Sequence, residues 1–144
     1  MVVHLLTSFV ATAAFAILFN APKKSIVKCG LVGMVGWFVY ISLVEYEFDA
    51  VVASFIAAFM IAVISQIFAK MYKTPIIIFS ISGIIPLVPG GIAYDAMRHF
   101  VVNDYNVAIQ LAAKAFMISG AIAVGLVISE VLNQIILKIK FKQV

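Results

Sequence analysis

The stretch "SGIIPLVPGGIAYDAMRHF", Ser82 to Phe100, begins as membrane-grade sequence and then sets two prolines and two glycines between Pro86 and Gly91. Proline has no N–H and clashes with the preceding turn, so Pro86 and Pro89 break a helix here. Gly90 and Gly91 would let the chain change direction at little steric cost. Carbonyls near Ser82 and Ile85 are expected to lose their helical partners. In lipid, unpaired backbone groups are costly, so such a break must face other helices or a wet cavity.

A new helix is expected from Ile92 to about Val102. Its first N–H groups have no partner within the helix. They carry the positive end of the helix dipole, which attracts carboxylates. Broken helices at membrane depth recur in transporters as substrate sites. Pro86, Pro89, Gly90 and Gly91 would shape the site. Asp95, Arg98 and His99 stand at i, i+3 and i+4 and can meet on one face. Arg98, with Tyr94, is a candidate carboxylate ligand, since a guanidinium grips carboxylates in bidentate fashion. Asp95 and His99 would orient these ligands or carry protons. The plainer readings are a kink that fits neighbouring helices, an intrahelical Asp95–Arg98 pair and an interfacial histidine.

The rest of the chain fits a membrane setting. Of its 144 residues, 65% are hydrophobic and 11% charged, against about 45–50% and about 25% in soluble domains. Runs of roughly 17–25 apolar residues span a bilayer as helices. We expect a single all-α membrane domain over residues 1–144. The net charge of +4 is no nucleic-acid signal, because the basic residues sit in short clusters between apolar runs. The lone cysteine, Cys29, has no disulfide or metal partner in sequence, and His4 and His99 are too far apart to suggest a metal site. The lysines follow the first apolar run instead of preceding it, so that run reads as a retained span.

Five transmembrane helices are expected: about Val2–Phe19, Cys29–Val44, Ala50–Ala69, the broken Pro75–Val102, and Val107–Leu137. Loop one carries Lys23, Lys24 and Lys28. The next carries Glu45, Glu47 and Asp49. The third carries Lys70 and Lys73, and the tail carries Lys138, Lys140 and Lys142. Positive loops stay inside, which places the N-terminus outside and the C-terminus inside. A re-entrant fourth segment would put the tail lysines outside, so a complete crossing in two pieces is expected.

Lys114 lies inside the fifth span, one turn from Gln110. A charge in lipid marks a pathway unless it snorkels to the interface, so Lys114 joins the candidate substrate ligands. Glu130, Asn133 and Gln134 would make interhelical hydrogen bonds or line an inner vestibule. His4, Ser8 and Thr12 form a polar packing seam. Gly30, Gly33 and Gly36, and in the last span Ala115, Ser119, Gly120, Ala121 and Gly125, read as close-packing positions. Trp37, Tyr40, Tyr46 and Tyr72 read as interfacial anchors. No phosphate loop, His-Glu-x-x-His or nucleophile constellation is present, so no enzyme and no cofactor are expected.

Two segments, "ILFNAPKKSIVKCGLVGMVGW" (Ile17–Trp37) and the Pro-x-x-Pro-Gly-Gly stretch above, resemble the C-terminal membrane half of the threonine/serine exporter family. In that family the half is either fused to a larger half or made as a separate small subunit. This chain resembles the separate form and is similar to the small component of two-component bacterial succinate exporters. The resemblance implies a secondary transporter in a bacterial cytoplasmic (inner) membrane. It also implies a larger membrane subunit as partner and export of small carboxylates, either threonine/serine-type amino acids or dicarboxylates. Proton coupling, homo-oligomerisation and a non-transporting scaffold role remain open at this point.

Overall fold

The computed structural model describes residues 2–141. Lys142 of the basic tail lies outside them, as does the side chain of Lys140. Every regular element in the described residues is helical: α1 (Val2–Leu18), α2 (Ile26–Glu45), α3 (Ala50–Tyr72), α4 (Ile76–Ile84), α5 (Gly90–Val101) and α6 (Tyr105–Phe141), with short 3₁₀ turns at Lys23–Ser25 and Ile85–Leu87. Three helical stretches are long and apolar enough to cross a membrane: Lys23–Glu45, Ala50–Tyr72 and Tyr105–Ile139. The broken pair Ile76–Leu87 and Gly90–Val101, bent by 47°, makes a fourth if it is one span. The expected first span is a 17-residue helix, about 25 Å long at about 1.5 Å per residue. It falls short of a hydrocarbon core of about 30 Å.

The turns between the helices share one device. Asn20, Glu47, Lys73 and Asn103 each take a positive φ, between 51° and 64°. In each case the next residue's N–H reaches back five positions: Ala21 to Ala16, Phe48 to Leu43, Thr74 to Ala69 and Asp104 to His99, at 2.9–3.1 Å. This left-handed closure satisfies carbonyls that a helix end leaves open. Asparagine tolerates the conformation; glutamate and lysine adopt it at a steric cost. Asp49 then opens α3 by accepting the Val51 N–H at 2.7 Å, a side-chain cap.

Helix α3 lies at the centre, packed on α2, α4 and α6. Its inner face is small, with Ala53, Ala57, Ala58 and Ala62 around a fully buried Ile61. Glycines on the neighbours admit these contacts. A Cβ at Gly36 would collide with the Ile61 side chain, and one at Gly83 would lie 2.8 Å from Val32 and 3.0 Å from Ile61. At Gly125 it would lie 2.8 Å from the main-chain oxygen of Phe55. Gly30 and Gly33 receive Phe9 and Thr12 in the same way, whereas Gly120 has no neighbour within 4 Å and faces outward. Ser8 and Thr12 of the α1 seam are buried, and His4 is exposed.

Two contacts tie the basic ends together. Lys28 Nζ sits 3.1 Å from the centre of the Tyr72 ring. Lys70 Nζ donates to Asn133 Oδ1 at 2.9 Å. The start of α2, the end of α3 and the last turns of α6 therefore share one end of the bundle. The acidic turn Glu45–Asp49 follows α2 and precedes α3 at the opposite end.

Candidate functional site

The break is built differently from its sequence expectation. The Ile85 N–H bonds to Ser82 O, and the Val88 N–H to Ile85 O at 3.3 Å. A tightened last turn thus satisfies the carbonyls expected to be orphaned, as 3₁₀ bonding does at helix ends. Val88 is extended (φ −63°, ψ 127°) and Pro89 leads into α5 (φ −78°, ψ 46°). Neither glycine has a positive φ, so the prolines and Val88 redirect the chain. Gly90 and Gly91 are instead the first two residues of α5. A Cβ at either would meet nothing within 4 Å. They leave the backbone at the helix start uncovered.

On the acceptor side, Pro89 O takes the Ala93 N–H at 3.0 Å and Val88 O takes the Gly90 N–H at 2.8 Å. The N–H groups of Gly91 and Ile92 have no main-chain acceptor among the described residues. They belong to the positive end of a 12-residue helix, where the dipole favours an anion.

A cleft of about 190 Å³ opens beside this helix start. Pro86, Pro89, Gly91 and Ile92 form one wall; Trp37 and Tyr40 of α2 and Ser54 of α3 form the other. The Trp37 and Tyr40 rings stack with centroids 5.2 Å apart. Three residues separate them on one helix, which puts both on the same face. Ser54 donates its hydroxyl proton to Ala50 O at 2.7 Å. No hydrogen bond within the described residues engages the Trp37 N–H or the Tyr40 O–H. The cleft thus combines two uncommitted side-chain donors with a helix N-terminus, and no charged side chain lines it.

The charged residues after the break lie elsewhere. The face of α5 turned to the bundle carries Ile92, Ala96 and His99; Tyr94, Asp95 and Arg98 are on its exposed side. Arg98 Nε is 3.8 Å from Asp95 Oδ1, with both side chains more than half exposed. The third member of the expected constellation separates from the others: His99 Nδ1 lies 3.3 Å from Asp104 Oδ2 across the turn to α6. Lys114 and Gln110 are exposed on α6. Of the nine candidates, Pro86, Pro89 and Gly91 line the cleft and Gly90 adjoins it, while Tyr94, Asp95, Arg98, His99 and Lys114 do not line it.

From sequence, Trp37 and Tyr40 read as interfacial anchors and Ser54 is not singled out, so none of the three is among the candidate site residues. The available signal was depth. Trp37 and Tyr40 lie toward the acidic-turn end of α2, the end at which α3 begins and toward which α4 carries the break.

A family model for the threonine/serine exporter ThrE matches residues 4–132. An uncharacterized protein of Haemophilus influenzae is 28% identical over 130 residues, covering 85% of this chain and 44% of that protein. The chain thus spans less than half the length of this relative. No solved structure matches. With apolar helices of spanning length, a broken helix that exposes backbone donors, and a family match over most of its length, the chain is a member of the threonine/serine exporter family, a membrane transport domain.

Proposed function

We propose that this chain is a subunit of a secondary-active, proton-coupled exporter of small carboxylate metabolites, either threonine/serine-type amino acids or dicarboxylates such as succinate. The observation that carries the reading is the cleft at the break, where four donors have no protein acceptor. A carboxylate there would accept from the Gly91 and Ile92 N–H groups on one side and from Trp37 and Tyr40 on the other. The absence of a Cβ at Gly90 and Gly91 lets it approach the backbone closely. Neutral donors hold an anion without the tight ion pair that would slow its release.

The exposed Tyr94, Arg98 and Lys114 do not line this cleft, and a charge left in lipid is costly. They fit a surface covered by a larger membrane subunit, against which they would complete the substrate path. The length of the Haemophilus influenzae relative, of which the match covers only 44%, supports such a partner. Asp95 would hold Arg98, and the His99–Asp104 pair would take up and release protons. The chain would lie in a bacterial inner membrane with five crossings, the 17-residue α1 crossing at the short limit of about 17–25 residues, N-terminus outside and C-terminus inside. A 47° bend keeps α5 advancing in the sense of α4, whereas a re-entrant segment would reverse. At about 1.5 Å per residue the two halves then advance about 30 Å together, the thickness of the hydrocarbon core. The clustering of basic turns at one end agrees with the charge rule.

The test is counterflow of labelled threonine, serine and succinate in liposomes holding this chain and its larger subunit. Tyr40→Phe keeps the ring and Trp37→Phe keeps an aromatic, if smaller, one, and each removes a donor; weakened uptake at matched protein amounts supports the reading. Full counterflow by the larger subunit alone would instead make this chain a scaffold.

A further inference from the structure

A second cleft lies toward the basic end of the bundle, between α3, α4 and α6. Its volume is about 220 Å³, and Gln66, Ser80 and Glu130 are its polar lining. Gln66 lies sixteen residues beyond Ala50, roughly 24 Å along α3 at about 1.5 Å per residue. In a bilayer whose hydrocarbon core of about 30 Å begins at Ala50, the cleft would lie within that layer.

The hydrogen bonds orient its oxygens. Gln66, only 8% exposed, donates from Nε2 to Ser129 O at 3.1 Å and to Ser129 Oγ at 3.2 Å. A carbonyl oxygen can only accept, so the amide nitrogen must be on that side. Gln66 Oε1 is turned away from Ser129 and receives no donor among the described residues. Ser80 donates to Ile76 O at 3.1 Å and keeps its lone pairs. Glu130 accepts from Gln134 at 3.3 Å through one oxygen only. The lining offers oxygen acceptors and no free donor, the reverse of the cleft at the helix break.

The positive charges nearby do not neutralise Glu130. Lys70 of α3 is held by Asn133 at 2.9 Å. The ion pairs found within 4.0 Å among the described residues are Arg98–Asp95 and His99–Asp104. Helix α4 carries no titratable side chain. Lys73 lies in the turn beyond α3, and Lys138 follows Glu130 two turns further along α6. A carboxylate left this way at membrane depth is costly, and such groups recur in ion and proton paths.

We propose that this inner cleft binds a monovalent cation, a proton or Na⁺, with Glu130 as the charged ligand and Gln66 Oε1 and Ser80 Oγ as neutral oxygen ligands. Oxygen donors suit hard cations. In use it would be an inner station for the coupling ion, at the opposite end of the bundle from His99–Asp104. That use rests on the exporter reading; the binding itself does not.

The experiment therefore measures binding without transport. The purified full chain is unfolded thermally in N-methylglucamine buffer with NaCl or choline chloride added, and its carboxyl infrared band is followed against pH. A ligand that binds only the folded state raises Tm. Expected is either an Na⁺-specific rise of about 2–4 °C at saturation or a component of the protonated-carboxyl band that belongs to Glu130, read as the difference between the parent and Glu130→Gln. Glu130→Gln should abolish the effect and Ser80→Ala should weaken it. Glu47→Gln, at the other end, should leave it intact. The Ser80→Ala result keeps the test valid if Glu130→Gln fails to fold. Absence of both signals, or either one surviving undiminished in Glu130→Gln, overturns the proposal. A cation signal in a chain that exports nothing with its larger subunit would refute the exporter reading and leave this site standing.

Discussion

Gly91 separates folding from function more cleanly than any other position in the chain. A Cβ built there meets no atom within 4 Å, and the residue lies in the first turn of α5 with no positive φ. Gly91→Ala should therefore fold at least as well as the parent. Removing a glycine from a helical site that tolerates alanine stabilises by about 0.4–1 kcal/mol, through the unfolded chain. The same methyl stands beside the N–H assigned to the substrate carboxylate. Losing one hydrogen bond to a charged group costs about 1.5–3 kcal/mol, which is roughly a 10- to 150-fold loss of affinity. Gly91→Leu fills more of the cleft and should reach the upper end of that range. The assay is concentration-dependent counterflow with the proposed larger subunit, paired with Tm in detergent. Tm should hold or rise slightly in Gly91→Ala while half-saturation moves up at least tenfold. Unchanged half-saturation in Gly91→Leu, at normal Tm, would refute the placement of the carboxylate at this helix start.

Three further predictions concern the bundle. Gly125→Ala sets a methyl against the Phe55 main-chain oxygen at 2.8 Å, which cannot swing aside, so α3 and α6 must part; thermal unfolding should show a loss of about 1–3 kcal/mol. Thr12 buries a hydroxyl that has no partner among the described residues, so Thr12→Val should leave Tm unchanged or raise it, because an unsatisfied buried polar group costs about 1–3 kcal/mol. Lys73 holds φ at 51°, which glycine adopts without its steric cost; Lys73→Gly should stabilise by up to about 1 kcal/mol, read as a Tm rise in detergent.

The break itself was legible because its cause is local: a proline without an N–H interrupts a helix wherever the chain goes. The segregation of basic and acidic turns was legible for the same reason. What Gly90 and Gly91 do was not. Glycine permits a reversal but does not demand one, and here both residues are helical. Their value lies in what is absent beside them, which only the packing reveals. Spacing allowed Asp95 to meet either Arg98 or His99. It could not show that the turn at Val102–Asp104 returns Asp104 to within 3.3 Å of His99. Trp37 and Tyr40 read as interfacial anchors because aromatic residues near a span's end usually are. Their position opposite the break depends on α2 and α4 being neighbours, which no single helix encodes. Of the trio Glu130, Asn133 and Gln134, only Asn133 bonds across to another helix and only Glu130 lines the second cleft, while Gln134 bonds within α6. The other polar wall of that cleft, Gln66, comes from α3 and bonds Ser129, 63 positions away in sequence.

The central claim is that a carboxylate substrate occupies the start of α5, and substrate protection tests it most directly. In a Cys29→Ser background, a cysteine is placed by Gly90→Cys or, as the control, by Gly120→Cys. Both positions have open space around the Cβ, but only Gly90 adjoins the cleft. With the larger subunit present, the rate of reaction with a small thiol reagent is measured with and without saturating threonine, serine or succinate. The account predicts that a transported substrate slows labelling at residue 90 at least several-fold and leaves residue 120 unaffected. Equal rates at residue 90 with and without every substrate that the complex exports would contradict it.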